Sequence, residues 1–341
     1  MSLSQIPNPN KENSTQSFMI DFTTTDKCLV CNTNHSKNLY KFQSKDDNWY
    51  SALKCRNCGL VYASPQPVLT HEAINEIYSS DYYANYYGPK QDYQDRSMTD
   101  YYMKCYEKEY AVYNEFAEQK EVRTVFDVGC GDGKFLEIFK KHGWQCTGLE
   151  PSSISRAKAI EKGFTVIDVP FLEVSNDIGK FDMIFLDNVI EHINEPNPFI
   201  AKAYSLLNPG GIFVLKTPNS DSLNESLETL MLRTLPRKVN NAIMSSIKKY
   251  FNQGTGRVHR FGNLHPPVHL AIYNNKSMTT VLKQGGFKED KIHNFFVSPH
   301  HPKWGVKESR KGFFHNTKKL IDRLANFMNR GEFLITIAKK D

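Results

Sequence analysis

The 341-residue chain has no run of 18 apolar residues, which excludes a helix crossing a membrane. Its opening, MSLSQIPNPNKENSTQ, lacks the charged-then-apolar pattern of a secretory leader. A disordered arm over 1–25 and a cytoplasmic location are therefore expected. No recognised nucleic-acid-binding module is present, so nucleic acid is not an expected partner. The glycine-rich turn at 129–133 also lacks what two common templates need. Counting G-x-G-x-x-G from Gly129 reaches Gly131 and then Lys134, so the third glycine of the dinucleotide fingerprint is missing. No G-K-[ST] follows, so the turn is not a phosphate loop. The net charge of +6 is missing from most of the chain. Residues 222–262 hold seven Lys/Arg against two Glu, and 302–330 hold eight against Glu308 and Asp322. The rest is net acidic, so the basic character belongs to two late segments.

What is present centres on VFDVGCGDGKFL, Val125 to Leu136. Val125, Phe126 and Val128 read as a buried strand, and Phe135, Leu136, Ile138 and Phe139 continue at helical spacing. Between them Gly129, Gly131 and Gly133 make a turn that lets a ligand approach the backbone at a helix N-terminus. Strand, glycine turn and helix open a doubly wound α/β fold, whose ligands bind at the carboxyl ends of the strands. A second strand ends in Glu150-Pro151, 21 residues after Gly129, where a carboxylate can accept hydrogen bonds from a ribose diol. A fourth strand, Phe181–Asp187, runs into Asn188 and Glu191-His192, and a fifth follows Asn208-Pro-Gly-Gly.

The D-x-G-x-G-x-G stretch, Asp127 to Gly133, resembles motif I of the class I S-adenosylmethionine-dependent methyltransferases. The later stretches follow in that family's order over 122–341. The resemblance implies a Rossmann-like doubly wound seven-stranded sheet whose last strand, Glu332–Lys339, is antiparallel to its neighbours. It implies S-adenosylmethionine as cofactor, held by Asp127, Gly129, Cys130, Gly131, Gly133, Glu150, Pro151, Asp168 and Asn188. Asp168, after a third strand at Phe164–Ile167, reads equally as an adenine contact or a turn residue. His192 is a candidate base or a helix-positioning residue. His269 and His265, near the acceptor in the resembling subfamily, are the other candidate bases, and His269 also suits a structural place at a helix start.

Before this core stand Cys28-Leu-Val-Cys31 and Cys55-Arg-Asn-Cys58, two C-x2-C pairs with 23 residues between them. Two such knuckles complete a tetrahedral thiolate site, so a structural Zn²⁺ ribbon is expected over 26–63, with disulfides and iron as competing readings. The arrangement Cys58-Gly-Leu-Val-Tyr62 with Asp81-Tyr-Tyr83 resembles the amino-terminal part of a bacterial methyltransferase subfamily associated with surface glycans and secondary metabolites. Eleven of seventeen tyrosines lie between Tyr78 and Tyr113. Within 64–120, Tyr102, Tyr106, Tyr110, Tyr113 and Ala117 predict a packing stripe, a cofactor lid, or both. In the core unit, 121–341, a basic insertion at about 222–262 carries an expected helix at Val239–Phe251, and a second basic helix is expected at Thr317–Asn329. Both read as surface helices or as contacts to an anionic membrane.

The expected protein is a methyltransferase acting on a small molecule or glycan precursor, a nucleotide-linked sugar foremost. The alternatives are a lipid-linked glycan acceptor at the inner membrane face, a nucleic-acid-binding protein, and a non-catalytic cofactor-binding scaffold.

Overall fold

The computed structural model describes residues 21–44, 48–78, 96–234, 239, 264–298 and 313–341. The strands are β1 (Phe22–Thr23), β2 (Ser36–Gln43), β3 (Trp49–Cys55), β4 (Val61–Ser64), β5 (Gln66–Pro67), β6 (Arg123–Val128) and β7 (Trp144–Leu149). They continue as β8 (Thr165–Ile167), β9 (Phe181–Asp187), β10 (Leu207–Pro218), β11 (Ala271–Ile272), β12 (Ile292–Val297) and β13 (Phe333–Lys339).

Seven strands form the central sheet in the order β12-β13-β10-β9-β6-β7-β8. β6 pairs in parallel with both β7 and β9, and β9 pairs in parallel with β10. β13 runs antiparallel to β10 and to β12, so it is the reversed strand. This is the expected class I arrangement. Strand order reverses at β6, which places the crevice for a ligand at that strand's carboxyl end, where the glycine turn begins. The sequence explains the layering. Residues 181–186 of β9, FDMIFL, are all buried, as a parallel strand covered on both faces requires. One cover is the helix Lys134–Lys141, which buries Phe135, Leu136, Ile138 and Phe139.

The tyrosine-bearing segment forms the helix Arg96–Phe116. Tyr110 and Tyr113 are buried in one cluster with Phe135, Phe139, Trp144 and Phe185, and Ala117 joins them just past the helix end. The packing stripe is present. Tyr106 packs against the same cluster, whereas the side chain of Tyr102 and the tyrosines at 82–93 lie outside the described residues.

The cysteine-bearing segment builds a four-stranded sheet in the order β11-β4-β3-β2. Its outer strand comes from Ala271–Ile272, far along the chain, so this sheet is stitched into the carboxyl-terminal half.

Of the two basic helices expected, one is described. Part of the basic insertion is the helix Leu223–Thr234, and the expected helix 239–251 lies outside the described residues apart from Val239. The carboxyl-terminal helix, Phe313–Phe327, docks by Asp322 and Ala325, which are buried. Asn326 Oδ1 pins it by accepting from the Ser298 amide at 2.8 Å. Its apolar stripe faces outward, with Leu320 68% and Phe327 87% exposed. Helical periodicity identifies a stripe but not the side on which it is covered.

Candidate active site

The glycine turn has the geometry that its residue types predict. Gly129, Gly131 and Gly133 have φ of 83°, 56° and 78°, the left-handed region that favours glycine. The Gly129 and Cys130 amides bond the Leu149 carbonyl at 2.7 and 3.1 Å, which sets the turn against β7. Glu150 follows directly. Its two carboxylate oxygens accept from the Gly131 and Ser152 amides, each at 2.8 Å. Burial raises its pKa, although these two bonds oppose the rise. Each oxygen keeps a further lone pair for a ligand hydroxyl.

Beside it, Arg156 donates to the Glu150 and Pro151 carbonyls at 2.8 and 3.0 Å and pairs with Asp168 at 2.6 Å. Thus Glu150, Pro151 and Asp168 are gathered by one guanidinium. Asp127 is buried below the turn, and burial, then the charges of Asp187 and Glu150, lift its pKa well above the carboxylate range. Asn188 takes φ 55° at the exit of β9, its amide bonded to the Lys216 carbonyl at 2.8 Å and its side chain to Asp187 at 2.7 Å.

These residues fit the cofactor that the sequence implies. A Cβ at Gly131 would meet nothing within 4 Å, so the backbone there borders open space beside Glu150. Glu150 and Asp187 act as negative charges on the buried Asp127, and negative charge here suits a sulfonium cation.

The histidines converge on the same strand ends. Val189 Cγ2 lies 2.6 Å from where a Gly129 Cβ would stand, so the short turn Ile190–His192 rests on the glycine turn. His192 Nδ1 is 2.9 Å from the Val268 carbonyl and 2.8 Å from the Tyr78 hydroxyl. A carbonyl only accepts, so Nδ1 carries the hydrogen and Nε2 the lone pair. His269 stands edge-on to His192 with ring centroids 4.6 Å apart, and His265 stacks on His269 at 3.8 Å. Three residues from two distant segments form one cluster.

Burial lowers the His192 pKa to about 4, against the pull of the Val268 and Asn188 carbonyls. Burial also raises Glu191 to about 8, where Thr217 donates to Oε2 at 2.9 Å. Ligand atoms of Glu191, His192 and His269 lie within 4.8 Å of one another, a spacing that one divalent ion can bridge.

The raised Glu191 pKa has a measurable consequence for stability. Between the ordinary carboxylate pKa of 4.5 and about 8, the folded protein holds a proton that the unfolded chain releases. Stability from this group is therefore present below 4.5 and lost as pH rises towards 8, by up to about 1.4 kcal/mol per pH unit. His192 acts oppositely, costing stability as pH falls from 6.5 towards 4. Urea unfolding at pH 5 and pH 8 should show the alkaline loss shrink in Glu191→Gln. An unchanged difference would place its origin elsewhere.

Sequence reading missed a buried ionic group beside this site. Lys216, near the end of β10, lies 2.7 Å from Glu109 of the helix Arg96–Phe116 and 3.7 Å from Asp187. Tyr113 donates to the other Glu109 oxygen at 3.3 Å. The available signal was a lone lysine closing the apolar run Ile212–Leu215.

The four cysteines also assemble. Cys28 and Cys58 sulfurs are 3.5 Å apart, as are those of Cys31 and Cys55, and all four lie within 4.8 Å of one another. A tetrahedral site with metal–sulfur bonds of about 2.3 Å has sulfur–sulfur edges of roughly 3.8 Å. The thiols are free and well beyond bonding distance, so the disulfide reading fails.

A family profile described as "Methyltransferase domain" matches residues 101–291, more than half the chain. The chain belongs to the methyltransferase-domain family. Among similar curated proteins is the ubiquinone biosynthesis O-methyltransferase of Bradyrhizobium sp. (strain ORS 278). It is 32% identical over 122 residues, covering 33% of this methyltransferase-family chain and 48% of that protein. Its counterpart in Rhodopseudomonas palustris (strain TIE-1) is 30% identical over 167 residues, covering 48% and 60%. The chain thus spans about half the length of the curated relatives it matches. A solved S-adenosylmethionine-dependent methyltransferase from Archaeoglobus fulgidus aligns over 73% of this chain and all of its own, with TM-score 0.45 and 18% identity.

Proposed function

We propose that the protein transfers a methyl group from S-adenosylmethionine to a hydroxyl of a small molecule. The observation that carries this reading is the contact of Val189 with Gly129, which sets the histidine cluster against the glycine turn. Membership of the methyltransferase-domain family supports it, and the relatives named as ubiquinone biosynthesis O-methyltransferases support oxygen of a small molecule as the acceptor class.

Bound S-adenosylmethionine would supply an electrophilic methyl on a good leaving group. The chain's part is to hold it with Gly129, Gly131, Gly133 and Glu150, to place Asp187 near its charge above the buried Asp127, and to exclude water. Cys130, Pro151, Asp168 and Asn188 border the same region. A hydroxyl acceptor must lose a proton. His192 has its Nδ1–H committed to Val268, which leaves the Nε2 lone pair to accept that proton, and its lowered pKa makes it a weak base that takes the proton only as the methyl transfers. His269 packs edge-on against His192 and His265 stacks on His269, so all three border the same region. Within small molecules, a glycan precursor such as a nucleotide-linked sugar is favoured by the resemblance of the cysteine-bearing amino-terminal part. Methyl-labelled cofactor incubated with an extract of the source organism tests the class. Label in water-soluble anionic molecules supports it, and binding without transfer would favour the scaffold reading.

The cysteine cluster is proposed to hold structural Zn²⁺, with no position left for water. Metal analysis should find about one zinc per chain. Four freely titratable thiols on metal-free folded protein would refute it.

The exposed stripe favours a second reading, a lipid-linked acceptor at an anionic membrane surface. Among the described residues no helix is long and apolar enough to cross a membrane. Leu320, Leu324, Phe327 and Met328 are nevertheless exposed along a helix bearing exposed Arg323. Co-sedimentation with anionic vesicles, lost in Leu324→Glu/Phe327→Glu, would support it, and absence of binding at low salt would remove it.

A further inference from the structure

Each cysteine knuckle grips one of the two segments that bring the histidines together. Within the first knuckle, the Val30 carbonyl accepts from Asn197 Nδ2 at 2.8 Å. Asn197 lies in the first turn of the helix Pro196–Leu206, immediately after the His192 turn. The second knuckle, Cys55–Cys58, leads through Gly59 and Leu60 into β4. There Val61 and Tyr62 pair with Ile272 and Ala271, and the Ala63 amide bonds the Leu270 carbonyl at 2.9 Å. The Leu270 amide in turn bonds the Glu191 carbonyl at 2.8 Å, which ties the residue after His269 to the residue before His192.

Side-chain packing reinforces the same link. Asn274 approaches the Gly59 carbonyl at 3.5 Å while its own Oδ1 caps the helix Asn275–Gln284. A Cβ on Gly59 would come within 2.6 Å of Asn274 Nδ2, so the two segments touch at the closest range that glycine allows. Tyr273 is fully buried in the apolar cluster that contains Cys28, Cys55 and Cys58. Glu150 and the glycine turn are held differently, through Leu149 and Ser152 on the β7 side of the sheet.

We propose that the metal-loaded four-cysteine knuckle is a positioning element for the acceptor side. Through Asn197 and β4 it sets His192 against His269, while Glu150 keeps its own bonds from the Gly131 and Ser152 amides. This rests on the reading that the histidine cluster faces the acceptor. The physical basis is the short lever on each side. One side-chain hydrogen bond joins Val30 to the helix after His192, and two residues of strand pairing join β4 to the segment after His269. Four close-packed thiols without a cation lose the bonds that hold both knuckles closed.

The test compares full-length protein loaded with zinc, stripped by a chelator and reloaded, with Co²⁺ thiolate absorption reporting site occupancy. Ring-proton NMR follows the positions of the His192 and His269 signals at one fixed pH, assigned through His192→Gln and His269→Gln. Calorimetry follows S-adenosylmethionine binding. Stripping should shift both histidine ring signals, one equivalent of zinc taken up by the thiolates should restore them, and cofactor affinity should change less than it does in Glu150→Ala. Histidine signals unmoved by metal release would overturn the proposal. If the stripped protein unfolds, Asn197→Ala/Asn274→Ala decides instead. An unchanged Co²⁺ spectrum with displaced histidine signals supports positioning, and unmoved histidines overturn it. Loss of cofactor binding in every state would defeat the functional reading separately, while the histidine readout still decides this one.

Discussion

Lys216→Met is expected to destabilise the protein by about 3–5 kcal/mol, the usual result of removing one partner from a buried ion pair. The Lys216 and Glu109 side chains are only 13% and 10% exposed, so solvent does little to screen them. Glu109 and Asp187 share this one ammonium. Burial opposes charge on Lys216, but Asp187 and Glu109 outweigh it and hold the pKa above the ordinary lysine value. Methionine preserves much of the apolar stem, so the loss reports charge rather than packing. Two carboxylates then remain in a poorly solvated place beside the cofactor turn. Urea unfolding measures the effect, and Glu109→Gln added to Lys216→Met should recover part of it. A loss below about 1 kcal/mol would show that this group does not bind the helix Arg96–Phe116 to the sheet.

Glu150→Ala should weaken S-adenosylmethionine binding by about 1–3 kcal/mol, roughly 5- to 150-fold. The variant removes the carboxylate beside the open space at Gly131 and also leaves the Gly131 and Ser152 amides without their acceptor. Glu150→Gln should not be silent, because its amide group would turn a donor towards one of those N–H donors. Isothermal calorimetry on folded protein, checked by far-ultraviolet circular dichroism, measures it. Affinity within twofold of wild type would remove Glu150 from the cofactor site.

The geometry of the glycine turn was readable because it depends on local sequence. Three closely spaced glycines need positive φ, an apolar run forms the preceding strand, and the next strand ends in Glu150, so their meeting requires one βαβ unit. The cysteine knuckles were legible for the same reason, since a C-x2-C pair presents two sulfurs from one turn. His192, His265 and His269 could be named individually, but their stacking could not be read. It depends on β4 pairing with Ala271–Ile272, across more than two hundred residues of chain.

Lys216 escaped notice because a lysine after an apolar strand looks like an ordinary strand end until Glu109 is brought over it from another element. The carboxyl-terminal helix shows the same division. Its amphipathic stripe follows from residue spacing, whereas its outward orientation depends on Asp322 and Ala325 facing the body of the protein. Local sequence specified the strands, the glycine turn and the sulfur pairs, because each is built from neighbours in the chain. The histidine cluster, the shared lysine and the exposed face arose only in the folded chain, because long-range pairing chooses which distant side chains meet and which side of a helix is covered.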